Sequence, residues 1–460
     1  MLQTLGLGLG ATMLPRGGRA QENAKSGAKP NIIFVLADDL GYGELGCYGQ
    51  KVIRTPHLDQ MAREGMRFTQ CYAGSTVCAP SRCCLMTGLH TGHAFTRGNG
   101  SPPLPSEEVT VAELLKQAGY ATAIIGKWGL GDEATTGIPN RQGFDYWFGY
   151  LNQRNAHNYY PAYLWRNEER FPLEGNVQHE KHANVAVERE QYSHDLFTEQ
   201  ALDYITQHKD RLFFLYLAYT IPHANNERGR FDGDGMEIPD YGAYVGEDWP
   251  DPQKGHAAMI SRLDADVGRL FERLEELGID ENTLVLFTSD NGPHKEGGAD
   301  PAFFGSSGPL RGYKRDLYEG GIRVPGIARW PGRVKPGATS DHPWAFWDFL
   351  PTALDLAGAP IPDGIDGISF VPALLGGDQS AHEYLYWEFH ERGFTQAVRT
   401  GPWKAVSNHP EKPLELYDLN TDIGETNDVA AENPEVVARI ETYLETARTP
   451  SKHWPGKPRT

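Results

Sequence analysis

The chain has 460 residues, more than one ordinary hydrophobic core organises, so a large domain with a smaller companion is expected. Asp and Glu number 61 against 43 Lys and Arg, and the formal net charge of −18 argues against nucleic acid as a partner, because no basic cluster tracks phosphates. No run approaches the roughly 18 to 20 apolar residues of a membrane span, and the five cysteines, with Cys83 and Cys84 adjacent, do not form a disulfide framework, although Cys47 with Cys71 could bridge.

Met1 to Leu14 is apolar and glycine-rich, and Gly17-Gly18-Arg19-Ala20 precedes a polar stretch, the order of an h-region and a cleavage site. No basic n-region precedes it. Residues 1–28 therefore read as the remnant of an export signal with its linker, of the twin-arginine kind if the basic residues lie upstream; a disordered leader is the alternative. Export would place the mature protein in a periplasm or outside the cell. Asn31 to Ala37 (NIIFVLA) is a continuous apolar run rich in Ile and Val, the pattern of a strand buried on both faces, and it ends in Asp38-Asp39. Ala121 to Gly126, Leu212 to Ala218 and Thr283 to Thr288 repeat the pattern. Helical periodicity lies at His57 to Glu64, Val111 to Gln117, Asp195 to His208 and His256 to Leu277. This alternation predicts an α/β domain over residues 29–380, a large mixed, mainly parallel sheet sandwiched by helices. From Tyr384 the texture changes to short segments, Tyr384 to His390, Gln396 to Thr400, Trp403 to Ser407 and Leu416 to Asp418, and then a helix over Pro434 to Thr446. A small C-terminal antiparallel sheet with a helix is expected over residues 381–450, and a loose tail over 451–460.

Ligands of parallel α/β sheets bind beyond the carboxyl ends of the strands. Asp38, Asp39, Lys127, His223, Asp290 and Asn291 all fall at or just after those ends. Three carboxylates and an amide oxygen make a hard oxygen site suited to Ca²⁺ or Mg²⁺. Lys127 leaves its strand directly, and Lys314 sits in Gly312-Tyr313-Lys314-Arg315 before Glu319-Gly320-Gly321; both suit an anion pocket. His223, in Ile221-Pro222-His223, is placed to donate a proton to a departing group. Cys78 and Arg82, within Cys78-Ala79-Pro80-Ser81-Arg82, lie one helical turn apart and share a face if that segment is helical. Asp145 to Asn167 is crowded with aromatics and amides; it suits sugar binding, and equally a packed core. Arg97, Asn155 and His157 are the candidate substrate contacts.

Taken in order, ADDLGYGELGCYG (Ala37 to Gly49), CAPSRCCLMTG (Cys78 to Gly88), GKWGLG (Gly126 to Gly131), IPH (Ile221 to His223), SDNG (Ser289 to Gly292) and GYKRDLYEGGIRVP (Gly312 to Pro325) resemble the type I sulfatases, the arylsulfatase-like members of the alkaline phosphatase superfamily. The resemblance runs from about Asn31 to about residue 445. It implies a sulfuric ester hydrolase. In that family Cys-x-Pro-x-Arg is recognised by a formylglycine-generating enzyme, which oxidises the thiol to an aldehyde whose hydrate is a geminal diol. Carried over, Asp38, Asp39, Asp290, Asn291 and formylglycine at Cys78 would ligate Ca²⁺, while Arg82, Lys127, His223 and Lys314 would bind sulfate and manage protons. The implied mechanism is attack of one diol oxygen on sulfur, departure of the alcohol, and expulsion of sulfate by the second hydroxyl. A sulfated carbohydrate is the expected substrate. One position departs from the pattern: Gly129 stands where many members have histidine, and His93, His157 and His182 are candidates to fill the space.

Two other functions fit parts of this sequence. A phosphoric ester hydrolase of the same superfamily would need a second metal set with extra Asp and His ligands. A catalytically degenerate sulfated-glycan-binding protein would rest on Gly129 alone.

Overall fold

The computed structural model describes residues 29–391 and 393–456; the expected export segment, 1–28, lies outside them. In chain order the strands are β1 (Asn31–Ala37), β2 (Met66–Tyr72), β3 (Ala121–Lys127), β4 (Tyr146–Tyr150), β5 (Tyr163–Arg166), β6 (Glu169–Pro172), β7 (Val177–Gln178), β8 (Ala186–Glu188), β9 (Phe213–Ala218), β10 (Thr283–Ser289), β11 (Arg323–Arg329), β12 (Ala338–Ser340) and β13 (Trp344–Ala345). Eleven of them form one sheet, ordered β12, β2, β11, β10, β1, β9, β3, β4, β5, β6, with β13 paired to β2. The central run from β10 to β4 is parallel, whereas β11 and β5 join its two sides antiparallel. β7 and β8 form a separate hairpin.

Every residue of β1, β9 and β10 is buried, because helices cover both faces of the sheet. Alternate side chains feed two cores: Ile32, Phe34 and Leu36 enter one, and Ile33, Val35 and Ala37 the other. The parallel register aligns the strand ends. Ala37 lies opposite Ser289, Leu36 opposite Ala218, and Ala218 opposite Gly126. The residues that follow are thereby delivered to one rim.

Of the helices α1 (Pro56–Glu64), α2 (Cys78–Thr87), α3 (Val111–Gln117), α4 (Ser193–His208), α5 (Asn226–Asp232) and α6 (Asp251–Glu276), α1, α3, α4 and α6 follow the four periodic segments, although α6 begins earlier than its apolar pattern suggests, while α2 and α5 have no such segment. The first turn of α6 carries Pro252 at a position where proline is preorganised for a helix, and polar residues there conceal the start. α3 opens on a reciprocal cap in which Thr110 Oγ1 accepts from Glu113 N at 3.2 Å and Thr110 N donates to Glu113 Oε2 at 2.8 Å.

The C-terminal segment forms an antiparallel sheet from the strands Leu385–Phe389, Thr395–Thr400, Trp403–Ser407 and Glu415–Asp418, with the helix Pro434–Leu444 packed on it through Val436, Ile440 and Leu444. Buried Lys404 ties it to the main domain by donating to Glu319 Oε1 at 3.0 Å, and donates within the C-terminal segment to Glu425 Oε1 at 3.3 Å.

Three expectations need correction. All five cysteines are free; Cys71 instead contacts Thr288 Oγ1 at 3.5 Å, so Cys47 and Cys71 do not bridge. Of the tail expected to be loose, the described part is anchored: Trp454 Nε1 donates to Phe95 O at 3.1 Å, and Arg448 Nη2 donates to Trp454 O at 2.8 Å. In the aromatic segment, Trp147, Phe148, Tyr150, Tyr159, Tyr160 and Trp165 are buried, so most of these rings are core rather than sugar platforms. Among the described residues no helix is long and apolar enough to cross a membrane.

Candidate active site

The rim at the carboxyl ends of β1, β3, β9 and β10 gathers a buried charge cluster. Asp38 and Asp39 follow β1, Lys127 ends β3, His223 stands in the loop after β9, and Asp290-Asn291 follow β10. Cys78 is the first residue of α2 and Arg82 lies one turn on, so the two share a face as their spacing requires. Lys314 arrives from the loop between β10 and β11.

The ion pairs are short and specific. Lys127 Nζ donates to Asp38 Oδ2 at 2.6 Å, and Cys78 Sγ donates to Asp38 Oδ1 at 3.3 Å. Arg82 Nε and Nη2 both donate to Asp290 Oδ2, at 3.1 and 2.9 Å, while its Nη1 donates to Lys127 O at 2.6 Å. The Lys314 ammonium reaches three acceptors, Asp39 Oδ2 at 2.7 Å, His223 Nε2 at 3.0 Å and Glu296 Oε2 at 3.1 Å, which uses all its protons. Burial alone disfavours charge on Asp38, yet the charges of Lys127, Arg82 and Lys314 hold its carboxyl far below the usual range. Burial, joined by the Asp38 charge, pushes Asp290 up to about 7. Burial and then Asp38 likewise push the Cys78 thiol well above its ordinary value, so an unmodified thiol here is a weak nucleophile.

His223 has a defined tautomer. Its Nδ1 lies 2.6 Å from Ala224 O, which can only accept, so Nδ1 carries the proton and Nε2 offers its lone pair to Lys314. Burial and the Lys314 charge push its pKa down to about 3.

The oxygen set fits a hard cation. Asp38, Asp39, Asp290 and Asn291 are all fully buried. Asn291 Nδ2 donates to Asp39 Oδ1 at 2.7 Å and to Gly292 O at 2.9 Å, and these bonds fix the amide so that its Oδ1 is left buried without a partner. An orphaned buried carbonyl among three carboxylates is costly unless a cation completes it. Asp39 adds backbone strain with φ at 67°, a conformation that few non-glycine residues adopt and that is retained where surroundings fix it.

Two further groups of Asp, Glu and His side chains come together among the described residues, His90 with His93 and Asp366, and Asp39 with His294 and Glu296. However, His294 Nε2 donates to Pro222 O at 3.0 Å and its Nδ1 accepts from Glu296 N at 3.1 Å, so neither ring nitrogen has a free lone pair.

Gly129 is occupied space. Its φ is +80°, and a Cβ there would lie 2.3 Å from Gln153 Nε2. Gln153 therefore fills the region that a side chain at 129 would enter. Of the histidines expected to compensate, His157 stacks on His223 with ring centroids 4.8 Å apart, His93 instead pairs with Asp366 at 2.9 Å, and His182 packs on Phe231.

The candidate substrate contacts divide. Asn155 lines a cleft of about 360 Å³ at the start of α2, together with Ala79, Gly129, Asp132, Asn152 and Gln153. His157 Nδ1 bonds Glu227 Oε2 at 3.0 Å on the wall formed with His223. Arg97 does not reach the site: it is 2% exposed, and its guanidinium is consumed by Ala94 O, Glu388 and Thr449. It was expected as a substrate contact, but Glu388 of the C-terminal sheet claims it. Glu296, Gln153 and Asn152 were not anticipated. Glu296 lies in the loop that follows Asn291, and that proximity was the one signal available; the return path of a loop has no periodicity to read.

Known proteins resemble the chain over most of its length. The family model described as Sulfatase matches residues 30–359, and one described as N-sulphoglucosamine sulphohydrolase, C-terminal, matches residues 312–449. The chain is 35% identical to human arylsulfatase A, over 89% of this chain and 86% of that protein. It is 31% identical to an N-acetylgalactosamine-6-O-sulfatase of Bacteroides thetaiotaomicron, over 93% and 95%. The solved structure of Ps i-CgsB in complex with k-i-k-neocarrahexaose superposes with a TM-score of 0.79 at 28% identity, covering 94% of this chain and 95% of that one.

Proposed function

The chain belongs to the sulfatase family, as a type I sulfatase of the alkaline phosphatase superfamily, and on that premise we propose that it hydrolyses sulfate monoesters of carbohydrates with an aldehyde made from Cys78 and a Ca²⁺ ion beside it. The observation that carries this reading is the convergence of Arg82, Lys127 and Lys314 with Asp38, Asp39 and Asp290 around Cys78, all buried. Such a concentration of buried charge costs stability and is kept where it performs chemistry.

Ca²⁺ held by Asp38, Asp39, Asp290 and the free Asn291 Oδ1 would supply positive charge where the attacking oxygen and the sulfate oxygens meet. Oxidised and hydrated, residue 78 offers two hydroxyls, one to attack sulfur and one to expel sulfate. A thiol or a serine offers only one group, which is the reason for the modification, and a formylglycine-generating enzyme is the partner it implies. Lys127 and Lys314 are compact cations at fixed positions, suited to the equatorial oxygens of a sulfuryl group as the ester bond breaks. Arg82 is a rigid strut that fixes Asp290 and the end of β3, and its charge favours the ionised nucleophile. His223 and Lys314 share one proton between Nε2 and Nζ, and that couple is placed to protonate the departing sugar oxygen.

His223→Gln tests the last role through the leaving group. A sugar alkoxide needs its proton and a nitrocatechol leaving group does not. The variant should lose roughly 10² to 10⁴-fold in kcat on a sugar sulfate and far less on nitrocatechol sulfate. Equal losses on both would reject proton donation. The cation is tested apart from activity, by thermal unfolding. Ca²⁺ at about 100 times its Kd should stabilise the wild-type protein by about 2.7 kcal/mol, and Asp39→Asn should remove most of that gain. A melting curve indifferent to Ca²⁺ and to chelator would count against the site.

A further inference from the structure

Beyond the cleft at the start of α2 lies a second, larger one of about 690 Å³, lined by Arg154, Lys181, His182, Glu227, Arg230 and Phe231. Arg154 and Arg230, 71% and 76% exposed, share the single carboxylate of Glu227 at 3.7 and 3.8 Å, and that carboxylate also holds His157 at 3.0 Å. Lys181 makes no ion pair among the described residues. Three cations and a histidine therefore face one partly neutralised acid, a local positive excess on a chain whose net charge is −18.

Two more features distinguish this cleft from a solvated basic patch. Phe231 is 43% exposed; the rings of His179 and His182 meet it edge-on at 5.3 and 5.0 Å and the Arg228 guanidinium lies over it at 5.6 Å, so a partly exposed apolar ring stands beside the cations. A sugar ring packs on such a face while its charged substituent meets the cations. The cleft is also continuous with the chemistry. Arg154 lines both clefts, and Glu227 bonds His157, which stacks on His223.

We propose that this outer cleft is a subsite for a second anionic substituent, a carboxylate or a sulfate, on a sugar next to the one that carries the scissile ester. The preferred substrate is then a polyanionic oligosaccharide rather than an isolated sulfated sugar. This rests on the sulfatase reading above and deepens it. Lys181 and Arg230 carry the selectivity because, unlike Arg154, they line the outer cleft and not the inner one.

The test compares wild-type protein with Lys181→Ala/Arg230→Ala on N-acetylgalactosamine 6-sulfate, a chondroitin 6-sulfate tetrasaccharide and a sulfated neocarrahexaose. The wild type should prefer an oligosaccharide, and the double variant should raise its KM about tenfold with kcat changed less than about twofold. An effect confined to the chondroitin substrate assigns the subsite to a carboxylate, and one confined to the neocarrahexaose assigns it to sulfate. Calorimetric titration of both oligosaccharides into Cys78→Ala protein, with and without the two further changes, reads the subsite without turnover. There the same tenfold weakening is expected, and an unchanged Kd, or no binding of either oligosaccharide, overturns the subsite. Absence of sulfate release by wild-type protein would instead overturn the reaction, since the calorimetric comparison still decides the subsite.

Discussion

Cys78→Ser protein is expected to lose sustained sulfate release by at least about 10⁴-fold, while folding normally. Cys78 is buried at the first position of α2, and a serine differs from it by one atom, so packing is preserved. The serine hydroxyl would still face Asp38, with Lys127, Arg82 and Lys314 around it. What it lacks is the second hydroxyl. If it attacks sulfur at all, the ester it forms has no internal group to expel sulfate. The protein should therefore stop after one event and gain the mass of one sulfo group. Intact-mass spectrometry after incubation with substrate, beside a steady-state assay, separates the possibilities. Sustained turnover by the serine variant at a rate near wild type would reject the two-hydroxyl account.

Lys314→Ala is the second large effect. The ammonium holds Asp39, His223 and Glu296 together. Its removal leaves the Asp39 carboxylate, fully buried, without its nearest cation. Loss of one partner of a buried pair costs about 3 to 5 kcal/mol of stability, and loss of one donor to a developing oxyanion costs about 10² to 10³-fold in kcat. Both should appear, the first in denaturant unfolding and the second in kcat. Lys314→Arg should recover stability better than turnover, because a planar guanidinium retains the charge but cannot present three protons from one point. A variant with wild-type kcat and lowered stability would make Lys314 a structural cation alone.

The parallel centre of the sheet was legible because strands buried on both faces must be apolar throughout, and NIIFVLA and its counterparts are. The acids and lysine that end those strands were legible for the same reason. A charged residue directly after a buried strand has few places to be except the rim where ligands bind. Cys78 and Arg82 could be paired because helical spacing is local. Non-local partners were not written in this way. Arg97 is claimed by Glu388, distant in sequence, and Asn152 and Gln153 reach the inner cleft only because β4 runs parallel to β3. The aromatic segment was ambiguous in principle, since buried rings and sugar platforms share a composition. β5 is only four residues long and the edge strand β6 is exposed and mostly polar, so both lack the apolar run that announced the centre.

The most direct test of the account joins chemistry at residue 78 to turnover. Preparations made with different amounts of formylglycine-generating enzyme are digested, and the fraction of aldehyde is read by mass spectrometry on the peptide Phe68 to Arg82. The same preparations are assayed for sulfate release from a sulfated sugar. Turnover proportional to the aldehyde fraction, falling to zero where position 78 is entirely thiol, is the result predicted here. Sulfate release by protein carrying only the thiol, or none by fully converted protein, would contradict it.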